Sequence, residues 1–260
     1  MSRTAYESYQ ANGFYIAHSL LEPSLIDATV LSLKLAYDKV LRTKGLKAGD
    51  DISTSMKQLY DADMGSYKQV TGALWRKLPV YNLLHHPAIA GFLRETFDWN
   101  DIYIPGGQVV HIMSEMLRIP NGYYGFSTHQ DWPSVRGSLD GMVIWLPLMD
   151  IDKNLYPLEV IPRSHQAGLL PLNQDPNNPW ETHPDCYNPA NFVPVEANKG
   201  DVVFMSNFTV HRSGTHGHPD KVRLACSTRY DNGDEPTFIE RGYPTAYVRS
   251  VNRHLGESDK

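Results

Sequence analysis

The second half of the chain most restricts what it can fold into. From residue 108 onward apolar residues recur with a period of two in short runs, at 108–113, 116–119, 139–149, 158–161, 193–196, 201–205 and 222–230, each bounded by Gly, Pro, Asn or Asp. Short punctuated strands build two packed sheets, a sandwich or jelly roll, and not the βαβ units of a parallel sheet. The first hundred residues have another rhythm. After a short strand at 13–17, residues 24–42 place Ile26, Val30, Leu33 and Tyr37 at helical spacing, with Ser24 and Asp27 as a capping-box-like start. Helical stretches follow at 66–78 and at 87–97, the second opened by Pro87. Their apolar residues, among them Leu74, Leu78, Ile89, Leu93 and Phe97, suit helices that buttress a sheet. Residues 43–55 read as a mobile loop near the mouth of the core or as a solvated linker. The expected class is mainly β with flanking helices (α+β). One domain is expected over 1–260, helical to about residue 100 and β from about 101 to 240.

Composition narrows the function. A 41% hydrophobic fraction over 260 residues supports a substantial core. The net charge of −5, with no cluster of Lys and Arg, argues against nucleic acid or an anionic membrane as partner. No apolar run approaches a membrane span, and the polar opening MSRTAYESYQANG lacks the apolar core of a secretory signal. Only Cys186 and Cys226 are present, too few for a disulfide framework; a soluble cytoplasmic protein is expected. Cys226, inside an alternating strand, reads as a small buried apolar residue. The oligomeric state stays open.

The chemistry concentrates in residues 127–147, STHQDWPSVRGSLDGMVIWLP, where a His-Gln-Asp triplet precedes a long apolar run. If the triplet is extended, His129 and Asp131 share one face and Gln130 points away. An imidazole and a carboxylate on one face supply two ligands of the facial triad that binds Fe(II) and leaves positions open opposite. The letters alone are weak, because His183-Pro184-Asp185 and His218-Pro219-Asp220 match them too. Both rivals carry proline in the middle among turn formers and read as loops. Only His129 is followed by a distal His211, after several strands, and by Arg223 about one strand further on. By spacing alone His211 is either a third ligand or a core or surface histidine. In VRLACSTRY, Arg223, Ala225, Ser227 and Arg229 fall on one face. An arginine directed into a barrel among small neighbours calls for an anion, and its planar fork matches a carboxylate.

The order HQD, WLPL, LEVIPRSH, KGDVVF, HRSG and VRLACSTRY, with YQANGFYIAHSLLEPSLIDA at the start, resembles the phytanoyl-CoA dioxygenase family of Fe(II)/2-oxoglutarate-dependent oxygenases over nearly the whole chain. The resemblance implies a double-stranded β-helix (jelly-roll, cupin-like) core. It implies iron held by His129, Asp131 and His211, with 2-oxoglutarate as co-substrate and dioxygen as oxidant. It assigns the far carboxylate of 2-oxoglutarate to Arg223 with Ser213. The offset of Arg223 from His211 is longer than usual in the family and leaves Arg229 as a rival. Arg118, where lysine is more usual, is expected to assist. Arg163 stands where glycine is usual and is either a surface residue or a substrate contact.

Tyr123, Tyr124, Phe126 and Trp132 are expected either to wall the substrate or to pack at the rim. The irregular stretch 171–191, with Trp180 and Tyr187, is a candidate lid or binding loop. His85 and His86 read as interhelical structural residues, and His216 and His218 as exposed loop residues. Hydroxylation of a small molecule is the leading expectation, and a free polar metabolite is favoured because no basic cluster awaits a CoA phosphate. Desaturation, cyclisation or epimerisation by the same chemistry, and a non-enzymatic metal- or ligand-binding jelly roll, are the alternatives. The carboxylate of Asp131 argues against halogenation.

Overall fold

The computed structural model describes residues 2–120, 122, 124–175 and 179–247. The elements run α1 (Ser2–Asn12), β1 (Phe14–Ala17), α2 (Pro23–Thr43), α3 (Ile52–Ala62), α4 (Met64–Ala73), α5 (Leu78–Leu84), α6 (Pro87–Phe97), β2 (Ile102–Tyr103), β3 (Val109–Met113), α7 (Trp132–Val135), β4 (Met142–Pro147), β5 (Leu158–Val160), β6 (Val193–Val195), β7 (Val202–Ser206), β8 (His211–Ser213), β9 (Arg223–Asn232) and α8 (Pro236–Glu240).

A larger antiparallel sheet runs β1-β7-β4-β9-β2, with β3 also paired to β9. A smaller sheet, β6-β5-β8, faces it. The six residues of β4 are all buried because both faces of the larger sheet are covered. Ile144, Phe204, Leu224 and Cys226 pack toward the helices with Ile26, Leu33, Leu41 and Leu93, while Val143, Trp145, Met205 and Ala225 face Leu158, Val160 and Val195 across the barrel interior. Two curled antiparallel sheets with helices on one side form the double-stranded β-helix that the family resemblance implies. No helix of the described residues is long and apolar enough to cross a membrane.

Four local expectations need correction. Ser24 does not cap α2, which starts at Pro23 after Glu22 with no side-chain cap. Residues 43–55 do not stay a loop to their end: Asp51 caps α3 by accepting from Thr54 N–H at 2.7 Å, and Ile52, Met56 and Leu59 are buried at helical spacing. The stretch 66–78 is broken into α4, a 3₁₀ turn at Leu74–Arg76 and α5, which starts with Pro79 in its first turn. Residues 116–119 are not a strand. Glu115–Leu117 form a 3₁₀ turn, since a short apolar run does not tell the two apart.

His85 and His86 sit between α5 and α6, as expected. His86 caps α6 by accepting from Ala88 N–H, and His85 bonds Tyr81 O at 2.7 Å. Cys226 is fully buried, and burial pushes its thiol pKa up.

Candidate metal centre and its two flanking cavities

Backbone pairing brings the histidines together. His129 and His211 exchange two hydrogen bonds of 3.0 Å, N–H to O in both directions, so strand β8 carries His211 directly beside His129. Asp131 arrives by another route. It is not extended but in the right-handed helical region, at the entry to α7, with Ser134 N–H and Oγ–H donating to its carbonyl at 2.9 Å each. Gln130 turns away, as period two requires, and its amide bonds Gly168 O, Phe208 O and Leu170 N. Donor atoms of His129, Asp131 and His211, all buried, lie within 4.8 Å of one another, and His211 Nε2 stands 3.2 Å from Asp131 Oδ2.

The chemistry of these donors fits a cation. His129 Nδ1 bonds Ser127 O at 2.7 Å and His211 Nδ1 bonds Thr209 O at 2.9 Å. A carbonyl only accepts, so each Nδ1 carries a proton and each Nε2 is left to face inward as the candidate metal donor. Arg229 takes Asp131 Oδ1 with Nη2 at 2.5 Å and Nε at 3.1 Å, while buried Oδ2 has no hydrogen-bond partner. Burial alone would raise the Asp131 pKa, but Arg229 and the two imidazoles hold it well below the carboxylate range. Burial, then the neighbouring His211, lowers His129 to about 3. Two inward-facing imidazole nitrogens and one carboxylate are the ligand set of a two-histidine, one-carboxylate iron site.

Two cavities meet at this centre and share Phe126, His129 and Arg229. The inner one, a narrow cavity, lies between the sheets and reaches His211, Ser213, Arg223, His111 and Ser227. Arg223 is 1% exposed there, its Nε donating to Tyr156 O at 2.9 Å. Ser213 Oγ accepts from Phe126 N–H at 3.0 Å, which leaves its O–H for a ligand. His111, on β3, was not singled out by the sequence, although its place in an alternating strand was a signal. It bonds Ser227 Oγ at 2.8 Å, and burial together with Arg223 and Arg229 holds its pKa well below the usual value, so it is neutral.

The outer cavity, an open cleft, reaches Asp131, Pro133, Trp180 and Tyr247. Trp180, from the irregular stretch 171–191, stands edge-on to His129 and Phe126, with ring centroids 5.3 and 6.0 Å apart.

Other expected site residues fall elsewhere. Arg118 is corrected: its side chain is 57% exposed, pairs with Glu115 at 3.4 Å and covers the Tyr124 ring, because the turn at 115–117 directs it outward and away from the inner cavity. Trp132 stacks on Phe208 and Tyr124 bonds Glu115, so of the four expected aromatic residues Phe126 reaches the centre; Tyr123 lies outside the described residues. Arg163 is exposed at φ +70°, in the left-handed region that favours glycine. His216 is exposed, with its ring bonded to Lys153 O. The rival triplets are loops, His183 capping a 3₁₀ turn.

The sequence model of the phytanoyl-CoA dioxygenase (PhyH) family matches residues 67–223. A search among curated proteins finds no significant match. Among solved structures, the fold is similar to that of the epimerase SnoN, determined in complex with Fe3+, alpha ketoglutarate and nogalamycin RO. That match has 15% identity over 88% of this chain and 82% of SnoN, with TM-score 0.59. AviO1 from Streptomyces viridochromogenes Tue57 matches at 20% identity over 91% of this chain and 97% of its own, TM-score 0.54. The carbocyclase SnoK from nogalamycin biosynthesis matches at 17% identity over 96% and 94%, TM-score 0.54. At these identities the likeness is one of fold.

Proposed function

The chain belongs to the phytanoyl-CoA dioxygenase family of iron- and 2-oxoglutarate-dependent oxygenases, and on that premise we propose that it hydroxylates a C–H bond of a small molecule. Iron, with 2-oxoglutarate and dioxygen, supplies an oxidant able to take hydrogen from a C–H bond while the 2-oxo acid becomes succinate and carbon dioxide. His129, Asp131 and His211 hold the metal. Arg223 and the Ser213 hydroxyl seat the far carboxylate of 2-oxoglutarate in the inner cavity, and Phe126, Trp180 and Tyr247 bound the substrate in the outer cleft. Arg229 is the positioning residue that keeps Asp131 ionised and turns one of its oxygens to the metal. The chain from 1 to 260 acts as one catalytic unit, because the helices close the outer face of the sheet that carries Arg223. Its thiols, Cys186 and Cys226, are both free, which supports a reducing compartment such as the cytoplasm.

The single observation that carries this reading is the placing of the three ligands where a narrow arginine-bearing cavity meets an open ring-walled cleft. The test is succinate formation from 2-oxoglutarate with added iron. His129→Ala, Asp131→Ala and His211→Ala should each abolish it; turnover undiminished in any of them removes the assignment. Once a substrate is in hand, the product should gain one oxygen atom. Loss of two hydrogens would mean desaturation or oxidative ring closure, and unchanged mass epimerisation.

A further inference from the structure

The outer cleft does not end at the metal. Tyr247 lines both it and a second open cleft, bordered by Tyr81, Tyr103, Phe238, Tyr243, Gln108 and Asp231. The turn Gly106–Gly107 separates the two, Gly106 lining one and Gly107 the other, both at positive φ. A Cβ on Gly107 would stand 2.3 Å from the Tyr247 hydroxyl, so the glycine is what lets that ring lie against the rim.

Among the described residues, neither cleft offers an uncommitted cation to an incoming anion. Among the described residues that line them, the one basic side chain besides the ligand His129 is Arg229, which is engaged by Asp131 and by Gly107 O at 3.2 Å. Two more polar groups of the outer cleft are committed as well: both ends of the Gln130 amide bond backbone, and the Ser134 hydroxyl donates to Asp131 O. An anion brought beside the carboxylates of Asp131 and Asp231 would lose hydration with nothing to replace it. What remains in the outer cleft is ring and aliphatic surface, from Phe126, Trp180, Pro133 and Val109.

The second cleft has a different character. Tyr103 and Tyr243 stack at 4.9 Å and 8°, and with Tyr81 they are among the large apolar side chains left exposed. Such a cluster marks a binding surface. At its base lies Asp231, whose Oδ1 accepts from Ser138 N–H at 3.0 Å. Burial raises the pKa of this carboxyl to about 6. A buried carboxyl kept at a cost to stability, beneath ring faces, suits a ligand hydroxyl.

Building on the oxygenase reading, we propose that the two clefts form one groove for an uncharged, two-part substrate. A ring system packs against Trp180 beside the metal, and a hydroxyl-bearing extension lies on Tyr103 and Tyr243 and donates to Asp231. The described lining disfavours acyl-CoA thioesters and other anions. The polar metabolite favoured by composition alone is thereby replaced by a largely apolar molecule that is polar at its far end.

The full chain loaded with Ni(II), which is redox-inert here, and 2-oxoglutarate can be titrated calorimetrically with three probes: the flavanone naringenin, its 7-O-glucoside and hexanoyl-coenzyme A. Naringenin should bind, its glucoside at least about tenfold tighter, and hexanoyl-coenzyme A not measurably. Trp180→Ala should weaken both neutral probes about tenfold or more. Tyr103→Ala, at a partly exposed position, should abolish the gain due to glucose and leave naringenin unchanged, and Asp231→Asn should do the same. Failure of both neutral probes to bind, tighter binding of the thioester, or a glucose gain that survives Tyr103→Ala overturns the inference. Binding of 2-oxoglutarate is measured in the same samples. If it is absent the oxygenase reading itself fails, and if it is present only the groove is lost.

Discussion

The two ends of β9 carry the same residue on the same face and give it opposite duties. Arg223 lies deep between the sheets, in the cavity that reaches Ser213 and His211. Arg229, with Ala225 and Ser227 between them on that face, instead closes on Asp131. One arginine faces space that a carboxylate from solution can enter, and the other already holds a carboxylate of the chain. Strand alternation says which way a guanidinium points; which anion it meets depends on what the rest of the fold brings there.

This contrast can be broken by substitution. Arg229→Ala should have the largest effect, since it leaves Asp131 buried without its partner. A loss of about 3–5 kcal/mol in urea unfolding is expected, together with a 10- to 100-fold weaker affinity for Co(II) followed by absorbance. Arg229→Lys should recover part of the metal affinity, and Co(II) binding unchanged in Arg229→Ala would exclude the positioning role. Arg223→Ala should raise the 2-oxoglutarate concentration for half-saturation by about 10- to 100-fold, the cost of losing charged hydrogen bonds, with Co(II) affinity within about threefold of wild type. If Arg229→Ala is the variant that loses 2-oxoglutarate and Arg223→Ala the one that loses metal, the two duties must be exchanged.

Asp231, the next inward residue of the strand, sharpens the comparison as a charge without a committed cation. Its folded pKa of about 6 lies above its unfolded value, so its contribution is complete below the unfolded value and is lost as pH rises through about 6. Asp231→Asn should therefore be more stable than wild type by about 1–3 kcal/mol at pH 8, with the difference vanishing toward pH 4. A difference that does not change with pH would show that the carboxyl does not titrate in this window.

The smallest effect belongs to a third arginine that no anion claims in this way. Arg163→Gly relieves a left-handed backbone at an exposed site and should stabilise the fold by up to about 1 kcal/mol, with 2-oxoglutarate and metal affinities unchanged. A fall in 2-oxoglutarate-dependent turnover in this variant would return Arg163 to the substrate.

What could be read in advance follows the same division. The span of α6, the apolar stripe of α2 and the two-residue period of β3, β4 and β9 rest on interactions between near neighbours, and the observed elements fall where those patterns lie. The His-Gln-Asp triplet could be separated from its two rivals because proline and turn formers act locally as well. The helix at 52–62 was legible in Asp51 and its apolar spacing but hidden behind a charged, glycine-containing lead-in. Trp180 could be read only as part of a candidate lid or binding loop, because its place beside His129 depends on the bridge between His129 and Glu181, a pairing across distant stretches.

By itself the chain determined its two rhythms, hence helices against a pair of antiparallel sheets, and it determined which side chains could serve as metal donors and anion anchors. Tertiary structure alone decided that Asp131 reaches its neighbours from a helix entry, that Arg229 is spent on it, that Arg118 faces solvent and that Tyr247 joins two clefts. The physical reason is one of range. Backbone periodicity and turn chemistry act over a few residues, whereas the partner of a charge and the wall of a cavity are fixed by segments that meet only when the sheets close.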